Sequence, residues 1–177
     1  MKHIIAFAGS NSKTSINKQL VTYTSSLVEN TKTEVLDLND FDVPLFSVDL
    51  EASMNGQPEN AHKLLNKLKE ADGLIISLAE HNGAYSAVFK NMFDWMSRIE
   101  SKTFFGKPML LIATSPGARG GKSVLAIAKD RFPRHDANIV GVFSLPKFKD
   151  NFSNGMINNK ELNNQLLVEV GKLKNAL

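Results

Sequence analysis

The chain has 177 residues and a formal net charge of +3, and 42% of its residues are hydrophobic and 22% charged, a composition typical of globular proteins. It contains no cysteine, which excludes a disulfide framework, thiol redox chemistry and thiolate metal sites. No apolar run approaches the roughly 20 residues that cross a bilayer, and the N-terminus shows no signal-peptide cleavage pattern. We therefore expect one cytoplasmic domain over residues 1–177.

The spacing of the basic residues along the sequence does not predict a nucleic-acid-binding surface. Lysines occur in small groups at residues 63–69, 147–149 and 172–174. Recognition of nucleic acid needs a concentrated basic stripe with interleaved aromatic residues. We expect neither nucleic acid nor a membrane as a partner.

Short apolar runs alternate with longer amphipathic segments along the chain. The runs at residues 3–8, 33–38, 73–78, 108–114 and 137–143 predict strands, and three of them lack the polar alternation of a half-exposed strand. Apolar residues at helical spacing predict helices around residues 16–27, 61–68, 86–99 and 162–173. This order predicts a parallel, doubly wound α/β sheet. Ligands bind such sheets beyond the carboxyl ends of the strands, so the loops after strands one, three and four are candidate sites.

The first loop, "GSNSKTSIN" (residues 9–17), connects the first strand to an amphipathic helix. Free N–H groups at a helix start attract a phosphate, and side-chain hydroxyls can complete the binding site. One serine would be explained by helix capping, but four hydroxyls within six residues would not. The phosphate-binding candidates are Ser10, Ser12, Thr14, Ser15 and Asn17, with Lys13 as the cation.

Residues 39–60 form a segment that is too long for a plain connection. We hypothesise that it covers the active site or a neighbouring subunit. A later segment, residues 145–161, receives no assignment from its pattern.

The second loop contains Glu80, His81, Asn82 and Gly83, and Asn-Gly is a strong turn signal. A tight turn there can present backbone groups to the edge of a flat heterocycle, with His81 against the ring face. An exposed histidine without a role is the alternative. No second histidine or carboxylate stands at metal-ligand spacing, so we expect no metal site.

The helix at residues 86–99 carries a wide apolar arc of Val, Phe, Met, Trp and Ile side chains. This arc covers about 160°, whereas packing on one sheet face needs little more than ~100°. The excess predicts a homodimer or homotetramer that contacts through this helix. A deep monomeric core is the alternative.

The third loop, "TSPGARGGKS" (residues 114–123), ends like a nucleoside-triphosphate loop. The Walker pattern requires a glycine at position 116, where this chain has Pro116, which lacks an N–H and has a restricted φ angle. The loop also follows the fourth strand rather than the first. A dinucleotide fingerprint fails as well, because Asn11 stands where a second glycine is needed.

Together the three loops resemble those of the NADPH-dependent FMN reductase family, a flavodoxin-like group that includes quinone, azo-dye and chromate reductases. The family's first loop, G-S-x-R-x-x-S-x-N, is matched by Gly9, Ser10, Ser15 and Asn17. Its second, P-E-Y-N-x-S-x-P-x-x-L-K-N-x-x-D-W, is matched by Glu80, Asn82, Lys90, Asn91, Asp94 and Trp95. Its third, S-P-G-x-x-G-G, is matched by Ser115, Pro116, Gly117, Gly120 and Gly121. The family arginine is Ser12 here, and the family proline and tyrosine are Ala79 and His81.

The resemblance implies a five-stranded sheet of order 2-1-3-4-5 with helices on both faces. It implies FMN as cofactor, NADPH or NADH as co-substrate, and a small acceptor such as a quinone, free flavin, azo dye or metal oxyanion. The flavin would carry the chemistry, so no catalytic side chain is expected. The implied cofactor-binding residues are Ser10, Ser12, Ser15, Ile16 and Asn17 for the phosphate, and Glu80, His81, Asn82 and Gly83 facing Ser115, Pro116, Gly117 and Gly120 for the ring. The glycines of the third loop would let the main chain approach a flat ring.

Two other functions remain open from the sequence. A flavodoxin-type electron carrier would share the fold and cofactor, but such carriers are typically acidic so that they dock with basic partners, and this chain has a net charge of +3. A non-catalytic FMN-binding regulatory module is the second alternative, which the sequence does not separate from the enzyme.

Overall fold

A computed structural model describes residues 1–177. Its strands are β1 (Lys2–Gly9), β2 (Thr31–Leu36), β3 (Gly73–Leu78), β4 (Glu80–His81), β5 (Ala84–Tyr85), β6 (Pro108–Thr114), β7 (Asn138–Leu145), β8 (Phe152–Ser153) and β9 (Met156–Ile157). Its helices are α1 (Ile16–Ser26), α2 (Val48–Met54), α3 (Glu59–Glu70), α4 (Ala87–Ile99), α5 (Lys122–Arg131), α6 (Phe148–Asn151) and α7 (Lys160–Ala176). Short 3-10 turns cover Leu38–Phe41 and Phe132–His135.

The main sheet is parallel and has the order β2-β1-β3-β6-β7. Counting only these five strands, the order is 2-1-3-4-5, which confirms the expected topology. The short pairs β4-β5 and β8-β9 are separate antiparallel hairpins. All loops that follow the carboxyl ends of the five strands therefore leave the sheet at one edge.

The core forms two layers because successive side chains of a strand point to opposite faces. In β1, Ile5 and Phe7 join a cluster of 26 buried residues, whereas Ile4 and Ala6 join a cluster of 17 on the other face. The larger cluster includes α3, α4 and α5, and the smaller includes α1 and α7. Strands β3 and β6 are covered on both faces, which explains their continuous apolar sequences.

The strand after α1 was predicted two residues too late, at 33–38, whereas β2 spans Thr31–Leu36. The Asp37 carboxylate accepts the backbone N–H of Asn39 at 3.0 Å and caps a 3-10 turn, so the strand ends at Leu36. Leu38 continues the apolar alternation but is buried from within that turn. The last sheet strand likewise lies at Asn138–Leu145 rather than at 137–143.

Residues 43–50 pack against α4 within the same chain. The indole Nε1–H of Trp95 donates to the Pro44 carbonyl at 2.7 Å, and the Phe46 ring lies edge-on to the indole with centroids 4.9 Å apart. Asn91 accepts the N–H of Phe46 at 2.8 Å. Trp95 is completely buried, so this segment accounts for the excess apolar arc of the helix. An oligomer contact through α4 remains a prediction.

The unassigned segment at residues 145–161 extends the smaller core. It forms α6 and the β8-β9 hairpin, whose Asn154-Gly155 turn has φ angles of 51° and 77°. Phe148 and Phe152 stack with centroids 4.7 Å apart and are buried. No helix of the chain has both the length and the apolar character that membrane crossing requires.

We expect Trp95→Phe to lower the free energy of unfolding by about 1–3 kcal/mol, because the Pro44 carbonyl loses its donor and a void opens beside Phe46. Urea denaturation followed by circular dichroism measures this. The control Lys90→Gln, which removes an exposed i,i+4 pair with Asp94, should cost about 0.5 kcal/mol or less. Equal effects of the two substitutions on the free energy of unfolding would contradict the packing of residues 43–50 on Trp95.

Candidate ligand-binding site at the carboxyl edge of the sheet

A buried asparagine joins the first loop to the two central strands. The Asn17 side chain donates from Nδ2 to the Thr114 carbonyl at 3.2 Å. Its Oδ1 accepts the Ser77 hydroxyl at 2.8 Å and the Thr114 N–H at 3.0 Å. Only 3% of Asn17 is exposed, so loop one is held against the ends of β3 and β6.

This arrangement corrects the predicted role of the Asn17 side chain. The amide was expected to bind phosphate, but both of its polar atoms are hydrogen-bonded inside the protein. Its backbone N–H has no acceptor within the chain. Sequence analysis also missed Ser77 and Thr114, which are 0% and 1% exposed. Their signal was a polar residue inside an otherwise apolar strand.

Three serine hydroxyls of loop one accept backbone N–H groups. Ser10 Oγ accepts the N–H of Ser12 at 3.2 Å, Ser12 Oγ accepts the N–H of Thr14 at 3.3 Å, and Ser15 Oγ accepts the N–H of Lys18 at 3.1 Å. Ser12 Oγ also lies 3.4 Å from Thr14 Oγ1, where either hydroxyl can be the donor; with Thr14 as the donor, Ser12 keeps its proton for a ligand. A hydroxyl that accepts an N–H keeps its own proton for another acceptor. These three hydroxyls are therefore suited to an anion.

The start of α1 adds backbone donors to the same loop. The N–H groups of Ile16 and Asn17 lie in the first helical turn, and no acceptor within the chain is bonded to either. The positive end of the helix macrodipole lies there as well. The predicted phosphate site thus has hydroxyl and backbone donors together.

The cations near loop one differ in how they are paired. Lys18 is hydrogen-bonded to Asp37 at the end of β2, and its ammonium holds the pKa of that carboxyl below its usual value. Lys13 is exposed and forms no ion pair. It is the cation of the loop whose charge is not compensated.

Loop two is a two-residue hairpin formed by β4 and β5. Asn82 and Gly83 have φ angles of 52° and 76°, as a type I′ turn requires, so the predicted tight turn is confirmed. His81 is exposed and pairs with Ala84 across the hairpin. Its predicted contact with a ring remains a prediction.

Glu80 and Ser86 connect this hairpin to the other loops. The Glu80 carboxylate accepts the N–H of Val124 at 2.9 Å, capping α5, whose own N-cap residue Gly121 has no side chain. The Ser86 hydroxyl donates to the Gly9 carbonyl at 2.7 Å and accepts the N–H of Phe89 at 3.2 Å. The three predicted loops therefore meet at one edge of the sheet.

Tyr85 ends the hairpin without a hydrogen-bond partner. Its hydroxyl is buried and unpaired, and its ring stacks on Phe132 with centroids 6.0 Å apart. Burial raises the pKa of Tyr85 to about 12, so the phenol is neutral at physiological pH. It is part of the core beneath the site.

Two glycines of loop three are required by packing within the chain, whereas the sequence predicted that they let the main chain approach a flat ring. A Cβ at Gly120 would lie 2.5 Å from Ser144 Oγ and 2.8 Å from Pro146 N, and one at Gly121 would lie 2.7 Å from the Ala113 Cβ. Both have positive φ angles, 59° and 79°. These residues are glycines because the loop packs on its own chain. Gly117 alone in the loop is exposed with no atom within 4 Å of an added Cβ.

Five clefts of about 310 to 590 Å³ lie away from the rim formed by the three loops, along the free edge of β7 or beside α1 and α7. None of the five is lined by residues 9–17, 79–86 or 115–121. A ligand at the rim would therefore lie outside these clefts.

Comparison of the sequence with known proteins places the three loops within one family. The family model for NADPH-dependent FMN reductase matches residues 2–150. An uncharacterised protein of Mycoplasma pneumoniae is 32% identical over 150 residues, which cover 80% of this chain and 86% of that protein. The quinone reductase of Escherichia coli (strain K12) is 29% identical over 119 residues, which cover 67% of this chain and 59% of the reductase. The chain thus matches less than two thirds of the length of that reductase.

A solved structure confirms the fold. The flavoenzyme NAD(P)H:(acceptor) oxidoreductase FerB of Paracoccus denitrificans superposes with a TM-score of 0.78 over 99% of this chain and 96% of its own. Its sequence identity of 23% supports a shared fold alone.

We expect Asn17→Ala to lower the free energy of unfolding by about 1–3 kcal/mol, because the buried groups of Ser77 and Thr114 lose their partner. The fluorescence of the single tryptophan during urea denaturation measures it. Asn11→Ala is the matched control, since Asn11 is exposed in the same loop, and should change the value by less than about 0.5 kcal/mol. If the two variants are equally stable, Asn17 does not join the loop to the sheet.

Proposed function

Because the chain belongs to the NADPH-dependent FMN reductase family, we propose that it is an FMN-dependent oxidoreductase. It takes reducing equivalents from NADPH or NADH and passes them to a small acceptor, such as a quinone, free flavin, azo dye or metal oxyanion. The observation that carries this proposal is the donor set of loop one, in which three serine hydroxyls and two unbonded N–H groups at a helix start occur within eight residues.

The residues at the rim fit FMN. The hydroxyls of Ser10, Ser12 and Ser15 and the N–H groups of Ile16 and Asn17 would hold the phosphate, because all are donors at the positive end of α1. The backbone of residues 80–83 and of Ser115–Gly117 would border the ring, since the two stretches follow the carboxyl ends of the neighbouring strands β3 and β6. Gly120 packs against Ser144 and Pro146. It would therefore support the loop that borders the ring instead of contacting the ring itself.

When bound, FMN supplies two-electron chemistry that no protein side chain provides. The chain's own contribution is to bind and orient. Asn17 and Ser86 hold loop one against the sheet and α4, and Glu80 holds the hairpin against α5. No acid or base is required for this role, and the single carboxylate in the three loops, Glu80, caps α5.

We expect Ser12→Ala to weaken FMN binding about tenfold, because one charge-assisted hydrogen bond to the phosphate is lost. Titration followed by flavin fluorescence measures the affinity. Riboflavin, which lacks the phosphate, should bind both proteins equally, and Ser26→Ala at the far end of α1 should leave FMN binding unchanged. A wild-type protein that does not bind FMN saturably, or a variant that loses riboflavin to the same degree, would contradict the phosphate site.

Anaerobic addition of NADPH and of NADH to the FMN-loaded protein then separates the enzyme from its alternatives. Bleaching of the flavin within the turnover time identifies a nicotinamide-dependent oxidoreductase. Flavin that binds but stays oxidised identifies an electron carrier or a regulatory module.

We further propose that the protein forms a homodimer or homotetramer through the face that α4 shares with α2. Helix α2 buries none of its residues, and Leu45 and Val48 are 80% and 68% exposed. Exposed apolar side chains that cluster on one face are typical of contact sites. Arg98 of α4 is paired with Glu51 of α2 within the chain, which leaves fewer uncompensated charges on this face to oppose a second copy.

We expect Leu45→Glu to shift the protein toward monomer in size-exclusion chromatography with light scattering, because a carboxylate would be buried in the contact. Ile127→Glu is the control, since Ile127 is an exposed apolar residue on α5. A monomeric wild-type protein at micromolar concentration would exclude the proposed assembly.

A further inference from the structure

The segment that follows β7 is hydrogen-bonded to loop three along its length. The N–H of Lys147 donates to the Gly117 carbonyl at 2.9 Å, and the N–H of Phe148 donates to the Ser115 carbonyl at 3.1 Å. The Ser144 hydroxyl donates to the Gly120 carbonyl at 2.9 Å. Residues 144–149 therefore form one side of the proposed flavin site.

This side carries uncompensated positive charge. We call the four exposed cations on it the basic flank: Arg119, Lys122, Lys147 and Lys149. None forms a salt bridge, although eight other lysines and arginines of the chain do. Arg119 donates only to Ser123 Oγ, at 3.0 Å. The nearby acids are Asp150 and Glu80, whose carboxylate caps α5 at Val124. Four cations and two carboxylates give this side a net charge of +2.

The opposite side of the rim has the other sign. Asp40 and Asp42 follow β2, are exposed, and form no ion pair. The rim is thus positive beside loop three and negative beyond loop one. An anion that approaches the rim is attracted toward the side of loop three, where the flavin ring would be reached.

The backbone of Lys147 gives an independent reason to assign it a role. Its φ angle is 45°, in the left-handed region, where most side chains are strained. Five of the seven non-glycine residues with positive φ are asparagine or aspartate, which tolerate this conformation through local hydrogen bonds. Lysine has no such compensation, and unfavourable backbone of this kind concentrates at functional sites. A lysine at this position adds a positive charge next to loop three, because the backbone N–H of Lys147 is hydrogen-bonded to the Gly117 carbonyl.

We propose that the basic flank makes the acceptor step selective for anionic oxidants over neutral ones, with Lys147 as the main specificity-determining residue. This inference rests on the proposed function and names the acceptor class of that same site. In the step itself a quinone would take a hydride ion, with its two electrons, from the reduced cofactor and a proton from water, and would leave as the hydroquinone.

The selectivity arises in the approach of the acceptor. The four cations of the flank are exposed to solvent, so their charges act through the electric field on the association of the acceptor. Such an effect weakens as salt shortens the Debye length from about 30 Å at 0.01 M to about 3 Å at 1 M. A salt-dependent difference between charged and neutral acceptors is therefore the expected signature.

The test uses 1,4-naphthoquinone-2-sulfonate and neutral 1,4-naphthoquinone with the FMN-loaded protein, photoreduced anaerobically so that no nicotinamide is needed. Stopped-flow absorbance measures the second-order rate of flavin reoxidation. We expect Lys147→Asn to slow the reaction with the sulfonate about fivefold at low salt and to leave the neutral quinone unchanged. Comparing each variant with the wild type for the same quinone cancels the difference in reduction potential.

Two further measurements separate charge from structure. Asparagine adopts the left-handed conformation readily, so Lys147→Asn should melt at the same temperature as the wild type or higher. Lys32→Asn is the matched control, because Lys32 is exposed at the opposite end of the sheet and should affect neither quinone. High salt should abolish the difference between Lys147→Asn and the wild type.

Equal slowing of both quinones, or a wild-type rate for the sulfonate that does not depend on salt, would overturn the proposal.

Calorimetric binding of redox-inert 2-naphthalenesulfonate, compared with neutral 2-naphthol, gives a readout that needs no flavin. Salt-sensitive binding of the sulfonate that is lost in Lys147→Asn supports the flank even if nicotinamide fails to reduce the protein, whereas no preference for the sulfonate contradicts it. Failure of nicotinamide reduction alone counts against the proposed function and not against the flank.

Discussion

The site depends on the buried amide of Asn17. A parallel sheet places the ends of β1, β3 and β6 side by side, but it does not by itself hold the loops that follow them. Asn17 satisfies the Ser77 hydroxyl and both backbone groups of Thr114 at once, and buried polar groups are costly when left unpaired. The start of α1 is consequently held at the ends of β3 and β6, and the N–H groups of its first two residues have no acceptor within the chain.

Two other polar side chains act in the same way. The Ser86 hydroxyl joins the start of α4 to Gly9, and the Glu80 carboxylate joins the hairpin to the start of α5. Each caps a helix and crosses to another loop. The ligand-binding groups are thus mainly backbone N–H groups and hydroxyls, while several conspicuous polar side chains hold the loops in place. Such preorganisation is what a cofactor that does its own chemistry requires of a protein.

Much of the fold could be predicted from local pattern. The strands at residues 73–78 and 108–114 were predicted with their observed bounds, because a strand buried on both faces reads as a continuous apolar run. The turn at Asn82-Gly83 was also predictable, since few other residue pairs tolerate two positive φ angles. The end of β2 was not, because Leu38 keeps the alternation of a strand while the Asp37 cap redirects the chain.

The sequence alone determined the architecture, the three loops and their likeness to one family, because periodicity, turn residues and motif spacing are local properties of the chain. The tertiary structure decided which atoms of those loops face outward. Asn17, Glu80 and Gly120 each carry the residue type that a ligand site would want, yet each contacts a partner 24 to 97 positions away. The burial of Trp95 by residues 43–50 and the basic side of the rim have the same origin: they depend on contacts between distant segments, which no local pattern records.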